Sequence, residues 1–195
     1  MSNYKKSRGW RNNNPLNIRR GEAWIGLSST PRDTEFCSFL TRGFGYRAAA
    51  KVLKSYFRTL MQHKKPFTVE NIIKRWAPEN ENNTEAYIRR VEELLYGNPS
   101  LPSPLPRVEE GAKAQEMFSS PRGKATGRRA LLGNGWEGVL GRPDTPQGAR
   151  HIAQLMAAMT CVECGCPPSA VPYTDIQEGV QMAYGIQPRL DDIRL

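Results

Sequence analysis

The alternation of hydrophobic and polar positions along the chain predicts a mainly helical protein. Between residues 43 and 62 the apolar positions recur three or four residues apart, which places them on one face of a helix. These positions are Tyr46, Ala49, Leu53, Phe57 and Leu60. The pattern stops at Lys64 and Lys65, which are followed by Pro66, so the helix is expected to end there.

Two shorter helices are predicted next, each preceded by a residue that can cap its amino terminus. Thr68 has the position of a cap for the first. Asn82 and Glu85 have the spacing of a capping box for the second, which is expected to end at Gly97. The residues expected to face the core are Ile72, Ile73 and Trp76 in the first helix and Tyr87, Val91 and Leu94 in the second.

The carboxyl-terminal part of the chain predicts two further helices. One begins after Thr145, which precedes a proline, and ends at Gly165. Its inward-facing stripe consists of Ile152, Met156, Met159 and Glu163. The other begins at Thr174, with Gln177 as its capping-box partner, and ends at Gly185. Its buried residues are expected to be Ile176, Val180 and Ala183.

Composition changes between these two sets of helices. Residues 98–146 are rich in proline and glycine and have only weak periodicity, which indicates a loop-rich insertion. The expected organisation is therefore a helical core in two parts, residues 1–97 and residues 147–195, separated by the insertion at 98–146. Little or no β-sheet is expected.

The charge and hydropathy of the chain limit where it acts and what it binds. A net charge of +9 favours polyanions such as nucleic acid, anionic cell-wall polymers or acidic lipids. The basic residues are spread along the sequence and no nucleic-acid motif is present, so nucleic acid is not the expected partner. No membrane span and no signal peptide are predicted. We therefore expect synthesis in the cytoplasm, and any later exit from the cell would need another route.

Four cysteines, three of them closely spaced, raise the question of a metal site. Cys161, Cys164 and Cys166 have the spacing C-x2-C-x-C, and His151 or Cys37 would have to supply a fourth zinc ligand. A second CxxC pair is absent, so free buried thiols are the preferred interpretation and neither a metal nor a cofactor is predicted.

An asparagine-rich stretch, residues 12–17, lies between Trp10 and Trp24. Asparagine tolerates left-handed backbone geometry and bonds to nearby backbone, while Pro15 restricts the residue before it, so a rigid non-helical loop is expected. We call it the asparagine loop. Amide groups can bind the hydroxyl and acetamido groups of sugars, and a tryptophan ring can stack on a sugar face. The alternative is a polar turn packed against two core tryptophans. The amides proposed for sugar binding are those of Asn12, Asn13, Asn14 and Asn17.

Glu163 is the most informative carboxylate in the sequence. It continues an apolar stripe and lies in the last turn of its predicted helix, where burial and the helix dipole both oppose ionisation. A carboxyl group that stays protonated near neutral pH is what the general acid of a glycoside-cleaving enzyme requires. The alternative is an exposed glutamate at a frayed helix end, or one paired with an arginine.

Other carboxylates are weaker candidates. Glu81, near Trp76, is a possible second carboxylate or substrate contact, although an acidic residue near a helix amino terminus is favourable for stability alone. Glu22 and Asp33 flank the asparagine loop. The sequence contains no recognisable nucleophilic triad and no phosphate-binding glycine loop.

Several blocks together resemble a family of bacteriophage and prophage proteins that includes virion structural proteins and lysozyme-like peptidoglycan hydrolases. Its motifs are an RNNNPGNIR loop, W-x-G, D-x-x-F-x-x-F, G-x-R-A-L, RWAP with EN-x-T-x-x-Y, and a tail of the form E-N-G-x-x-P-Y. The blocks that carry the resemblance are residues 8–27, 33–56, 72–91 and 155–185. Leu16 replaces the glycine of the first motif, and Cys164 replaces the asparagine of the last.

The resemblance implies a mainly α, lysozyme-like fold that acts on cell-wall glycan. In lysozyme-like lytic enzymes the catalytic glutamate ends an apolar helix upstream of the groove. Here the helix ending at Glu163 is expected to supply the acid, in a rearranged chain order. The leading hypothesis is cleavage of peptidoglycan glycan strands, with Glu163 and Glu81 as catalytic candidates and with Trp24, Trp76 and Tyr87 joining the asparagines in substrate binding. The second is a non-catalytic virion or wall-binding module, with other virion proteins as partners.

Overall fold

The computed structural model of the protein describes residues 2–65, 67–96 and 145–195. Over these ranges the chain is mainly helical, as predicted. The α-helices are α1 (Arg8–Arg11), α2 (Arg42–Gln62), α3 (Val69–Trp76), α4 (Thr84–Tyr96), α5 (Pro146–Cys164) and α6 (Tyr173–Tyr184). Short 3-10 turns occur at Asn3–Lys6, Pro168–Ala170 and Leu190–Asp192. Extended pairing within the described ranges is limited to two isolated antiparallel bridges, Arg19 with Phe36 and Leu27 with Phe39.

Helix α5 forms the centre of the fold. Every residue from His151 to Cys161 is buried, so the helix is enclosed on all sides and not along one stripe as its sequence suggested. Its side chains belong to one hydrophobic core that also contains Tyr46 and Leu53 of α2, Ile72 of α3 and Val91 of α4. The helix also buries the polar side chains of His151, Gln154 and Thr160, and its carboxyl-terminal turn carries the half-buried Glu163.

Helices α2 and α6 pack against each other at very short range. A Cβ atom built on Gly179 would lie 2.8 Å from the backbone nitrogen of Arg47 and 2.9 Å from the carbonyl oxygen of Gly43. Such distances are shorter than van der Waals contact, so the absence of a side chain at Gly179 permits this packing. The long helix predicted between residues 43 and 62 is thereby held against the last helix of the chain.

Most of the predicted helix boundaries are confirmed because they depend on local hydrogen bonding. The side chain of Thr68 accepts a bond from the backbone N–H of Asn71, and that of Thr145 accepts one from Gly148. Gly165 ends α5 in the left-handed conformation, with φ of 66°, and Gly185 ends α6 in the same way.

Three details of the predictions are wrong. Asn83, not Asn82, caps α4, since its Oδ1 accepts a hydrogen bond from the backbone N–H of Ala86 at 3.1 Å. Helix α6 begins at Tyr173 after Pro172, without a side-chain cap, and Gln177 instead donates to the carbonyl of Pro188. In α4 the sequence predicted Leu94 as a core residue, but Leu94 is half-buried and its neighbour Leu95 is buried.

Gly97 and residues 98–144 of the predicted insertion lie outside the described residues.

No helix in the described parts of the chain is long and apolar enough to cross a membrane. This agrees with the sequence, which contains no extended apolar run.

We expect acidification from about pH 7 to about pH 5 to lower the free energy of unfolding, because His151 is buried in its uncharged form. Burial, aided by the positive charge of Arg150, lowers the pKa of His151 from 6.5 to about 4. The unfolded chain binds a proton near pH 6.5 and the folded chain does so only near pH 4. The stabilisation is therefore complete above the higher value and is lost progressively towards the lower one, and on the order of 2 kcal/mol of it is lost by pH 5.

Urea unfolding at a series of pH values measures this loss. The chain has one other histidine, His63, which is exposed and serves as the matched control. His63→Gln should retain the slope of stability against pH, and His151→Gln should flatten it. An unchanged slope in His151→Gln would assign the acid sensitivity to other groups.

Candidate functional site

The carboxyl group of Glu163 lies where the asparagine loop, α3, α4 and α5 meet. Its Oε2 accepts a hydrogen bond from Nδ2 of Asn17 at 2.7 Å. Its Oε1 accepts two more, from Nε1 of Trp76 at 3.2 Å and from the hydroxyl of Tyr87 at 2.9 Å. We call these four residues the carboxyl cluster. Each of them is a site residue proposed from the sequence, and the structure brings all four together.

The end of α5 aims Glu163 at the asparagine loop. Because Gly165 takes the left-handed conformation, the chain turns away immediately after the last helical turn. Cys164 reaches the same loop, and its Sγ–H donates to the carbonyl of Pro15 at 3.4 Å. Burial raises the pKa of Cys164 to about 11, so the thiol remains a donor at neutral pH. Two adjacent side chains therefore attach the helix end to the loop.

The asparagine loop has the rigid, non-helical form expected from its residues. Asn13 and Asn17 adopt left-handed φ angles of 50° and 48°. Asn14 is fully buried: its Nδ2 donates to the carbonyls of Ile18 and Cys37, and its Oδ1 accepts from the N–H of Ile18, all at 2.9 Å. The Asn14 amide therefore folds the loop onto itself and has no exposed surface for a ligand.

Asn12 and Asn13 also direct their amides into the protein. Asn12 is buried and bonds to Asp33 and Ser38, and Nδ2 of Asn13 donates to the carbonyls of Phe39 and Leu40. Of the four asparagines proposed to bind sugar, Asn17 is the one whose amide contacts the candidate acid. The other three shape the loop that presents it.

Two glycines allow the loop to lie against the helices. A Cβ atom at Gly9 of α1 would lie 2.8 Å from the carbonyl oxygen of Asn14 and 3.0 Å from Oδ1 of Asn17. A Cβ atom at Gly45 of α2 would overlap the carbonyl oxygen of Asn13. The loop is thus enclosed between α1 and α2, which fixes the position of Asn17. Sequence reasoning missed both glycines, because only the folded chain shows what approaches them.

The three donors to Glu163 are neutral; Tyr87 is buried, and Asn17 and Trp76 are half-buried. Tyr87 is 8% exposed, and burial together with the negative charge of Glu163 raises its pKa well above 10, so its hydroxyl keeps its proton and donates. Three of the four lone-pair positions of the carboxylate accept hydrogen bonds, and the fourth belongs to Oε2. Among the described residues Glu163 forms no ion pair. The predicted alternative of an arginine partner therefore finds no support there.

Glu81 is paired with Arg19 and not with a residue of the carboxyl cluster. Its Oε2 accepts a hydrogen bond from Arg19 at 2.8 Å in an exposed ion pair. Arg19 lies two residues after Asn17, and Glu81 lies in the loop that follows Trp76. The pair therefore joins two segments that both contact Glu163. The proposed catalytic role of Glu81 stays a prediction.

The remaining candidates lie apart from the cluster. Trp24 is half-buried, and no hydrogen bond or ring contact within the described residues connects it to the cluster. Glu22 lines a surface cleft of about 330 Å³ that no cluster residue lines. Hydrogen bonds from the backbone of Glu35 and Phe36 lower the pKa of Asp33, which also pairs with Arg8 at 3.0 Å. Asp33 therefore organises the loop as a carboxylate.

The cysteines considered as metal ligands are buried free thiols. Cys164 is engaged by Pro15 and Cys166 by the carbonyl of Thr160 at 3.8 Å. In the part of the chain that the structure describes, no group of three or more His, Cys, Asp or Glu side chains is arranged to hold a metal ion.

Comparison with known proteins relates the chain to a bacteriophage protein. It is 43% identical over 89 residues to Protein P5 of Pseudoalteromonas phage PM2. The match covers 44% of this chain and 53% of the relative, so the chain matches about half the length of that protein. No family model matches the sequence.

We expect Gly45→Ala to displace the asparagine loop, because the added methyl group would overlap the Asn13 carbonyl. Overpacking of this kind costs about 1–3 kcal/mol. The loss of stability is measured by urea unfolding, with Ser55→Ala on the exposed side of the same helix as control. A variant as stable as the control would show that the loop is not held against α2 in this way.

Proposed function

We propose that the protein cleaves the glycan strands of peptidoglycan, with Glu163 as the general acid. The observation that carries the proposal is the half-buried carboxyl group held by Asn17, Trp76 and Tyr87 without a cationic partner among the described residues. Buried carboxylates in proteins are usually paired with a group of opposite charge. A carboxyl group oriented by neutral side-chain donors is instead suited to gain and lose a proton during a reaction.

The hydrogen bonds distinguish the two oxygens of the Glu163 carboxyl group. Oε1 is occupied by Trp76 and Tyr87, which fix the plane of the carboxyl group. Oε2 has one donor, Asn17, and one remaining position. In the proposed reaction a proton on Oε2 is transferred to the glycosidic oxygen as the bond between that oxygen and the anomeric carbon breaks. The resulting carboxylate is then stabilised by all three donors.

The pairing of Glu81 with Arg19 supports a mechanism with a single carboxyl group. In this mechanism a hydroxyl group of the substrate attacks the anomeric carbon, and Glu163 accepts the proton of that hydroxyl. This is the lytic transglycosylase reaction. Hydrolysis would require a second carboxylate at a defined spacing to act on water or as the nucleophile.

A non-catalytic wall-binding or virion module is the second candidate, and one observation favours it. The carboxyl cluster joins four segments of the chain, so Glu163 also has a role in stability that needs no chemistry. The similarity to a bacteriophage protein is compatible with either function. Such a module would bind glycan without releasing soluble fragments.

We expect Glu163→Gln to lower the rate of fragment release from purified peptidoglycan by at least about 100-fold, since general acid–base catalysis contributes that much or more. The amide keeps an oxygen for Trp76 and Tyr87. The glutamine amide cannot, however, protonate the leaving oxygen of the glycosidic bond. Release of soluble fragments is measured by chromatography, and thermal unfolding is recorded for each variant to confirm folding.

Glu93→Gln provides the matched control, because Glu93 is an exposed glutamate of α4 paired with Arg90. It should release fragments at the wild-type rate. Wild-type activity in folded Glu163→Gln would remove Glu163 from the mechanism. A comparable loss in Glu81→Gln would favour hydrolysis with two carboxylates over the single-carboxyl route.

A further inference from the structure

An aromatic contact leads from the carboxyl cluster to a second ring. Trp76, which donates to Glu163, also makes a ring contact with Tyr56 of α2. The ring centroids are 6.1 Å apart and the planes meet at 69°, an edge-to-face arrangement. Tyr56 is half-buried, and its hydroxyl donates to the carbonyl of Arg75 at 3.5 Å. The ring of Trp76 therefore connects the candidate acid, Glu163, to the ring of Tyr56.

A guanidinium group lies on this second ring. The Cζ atom of Arg75 is 4.6 Å from the centroid of Tyr56, within the range of a cation–π contact. The side chain is exposed and forms no ion pair within the described residues. Its neighbour Lys74, by contrast, is paired with Glu70 at 2.9 Å. Arg75 is therefore held in place by an aromatic face and keeps its charge available.

This arrangement is suited to a carboxylate ligand. A guanidinium group presents a planar set of donors that matches the two oxygens of a carboxylate. The contact with Tyr56 restricts the position of the guanidinium group before any ligand arrives, which reduces the entropy lost on binding. Arg75 also lies in the last turn of α3, where a positive charge stabilises the helix. A stability measurement separates that effect from ligand binding.

We propose that Arg75, stacked on Tyr56, binds a carboxylate of the substrate beside the point of cleavage. The inference rests on the proposed function and narrows it, because it makes the substrate an anionic, peptide-bearing glycan and not a neutral one. The contacts connect the two groups in sequence, since Trp76 donates to Glu163 and also contacts Tyr56, on which Arg75 lies. The cation thus recognises the charged substituent while Glu163 faces the glycosidic bond.

The test compares soluble peptidoglycan fragments with the same fragments after their carboxyl groups have been converted to amides. Arg75→Gln is the variant, and Arg58→Gln is the control, since Arg58 is an exposed arginine of α2 without a ring contact. On untreated fragments Arg75→Gln should raise KM about threefold to tenfold, as expected for loss of one accessible charged contact, and leave kcat unchanged. On amidated fragments the variant and the wild type should have the same KM.

Equilibrium binding of both fragment preparations is also measured in the Glu163→Gln background, where no cleavage is expected. The affinity for untreated fragments should fall by the same factor when Arg75→Gln is added, and thermal unfolding should show that the proteins remain folded. An equal effect of Arg75→Gln on untreated and amidated fragments, or no effect on either, would overturn the inference. A wild-type protein that releases no fragments at all would instead overturn the proposed function, while the binding measurement still decides the role of Arg75.

Discussion

The hydrogen bonding of one carboxyl group determines how the described parts of this molecule fit together. Asn17 and Glu163 are 146 residues apart in sequence, yet their side chains meet at 2.7 Å. Trp76 and Tyr87 add the connections from α3 and α4. A hydrogen bond to a charged group contributes about 1.5–3 kcal/mol, and leaving such a group without partners costs more. Three segments therefore meet the end of α5 at this point, because each supplies one hydrogen-bond donor to the half-buried carboxyl group.

This convergence depends on close backbone packing that leaves no room for side chains. Gly9 and Gly45 let the asparagine loop lie against α1 and α2, and Gly179 lets α6 lie against α2. The position of Asn17 is thus set by two helices, and Gly9 of α1 lies against the amide oxygen of Asn17. The deep burial of Asn14 has the same effect from within the loop, since its three hydrogen bonds fix the turn that follows. The candidate site is consequently rigid on the side of the loop.

The features that could be predicted from sequence are those decided by local chemistry. The caps at Thr68 and Thr145 and the left-handed end at Gly165 were predictable because a cap depends on residues within one turn. The cap of α4 was missed by one residue, since Asn82 and Asn83 are both able to cap and tertiary contacts decide between them. Glu163 could be proposed because a carboxylate on an apolar stripe is unusual. Its partners could not be derived by periodicity, since each comes from a different segment.

The distribution of charge partners explains why the geometry points to chemistry as well as stability. Several acids in the described ranges are paired with arginines, as Glu81 is with Arg19 and Asp175 is with Arg42. Glu163 is bound by neutral donors instead, which permits its charge to change without breaking an ion pair. Arg75 is the counterpart, a cation that lies on a ring and has no acidic partner among the described residues. A ligand that needs a proton at one point and carries a negative charge at a neighbouring point is complementary to both, and an anionic glycan has these two properties.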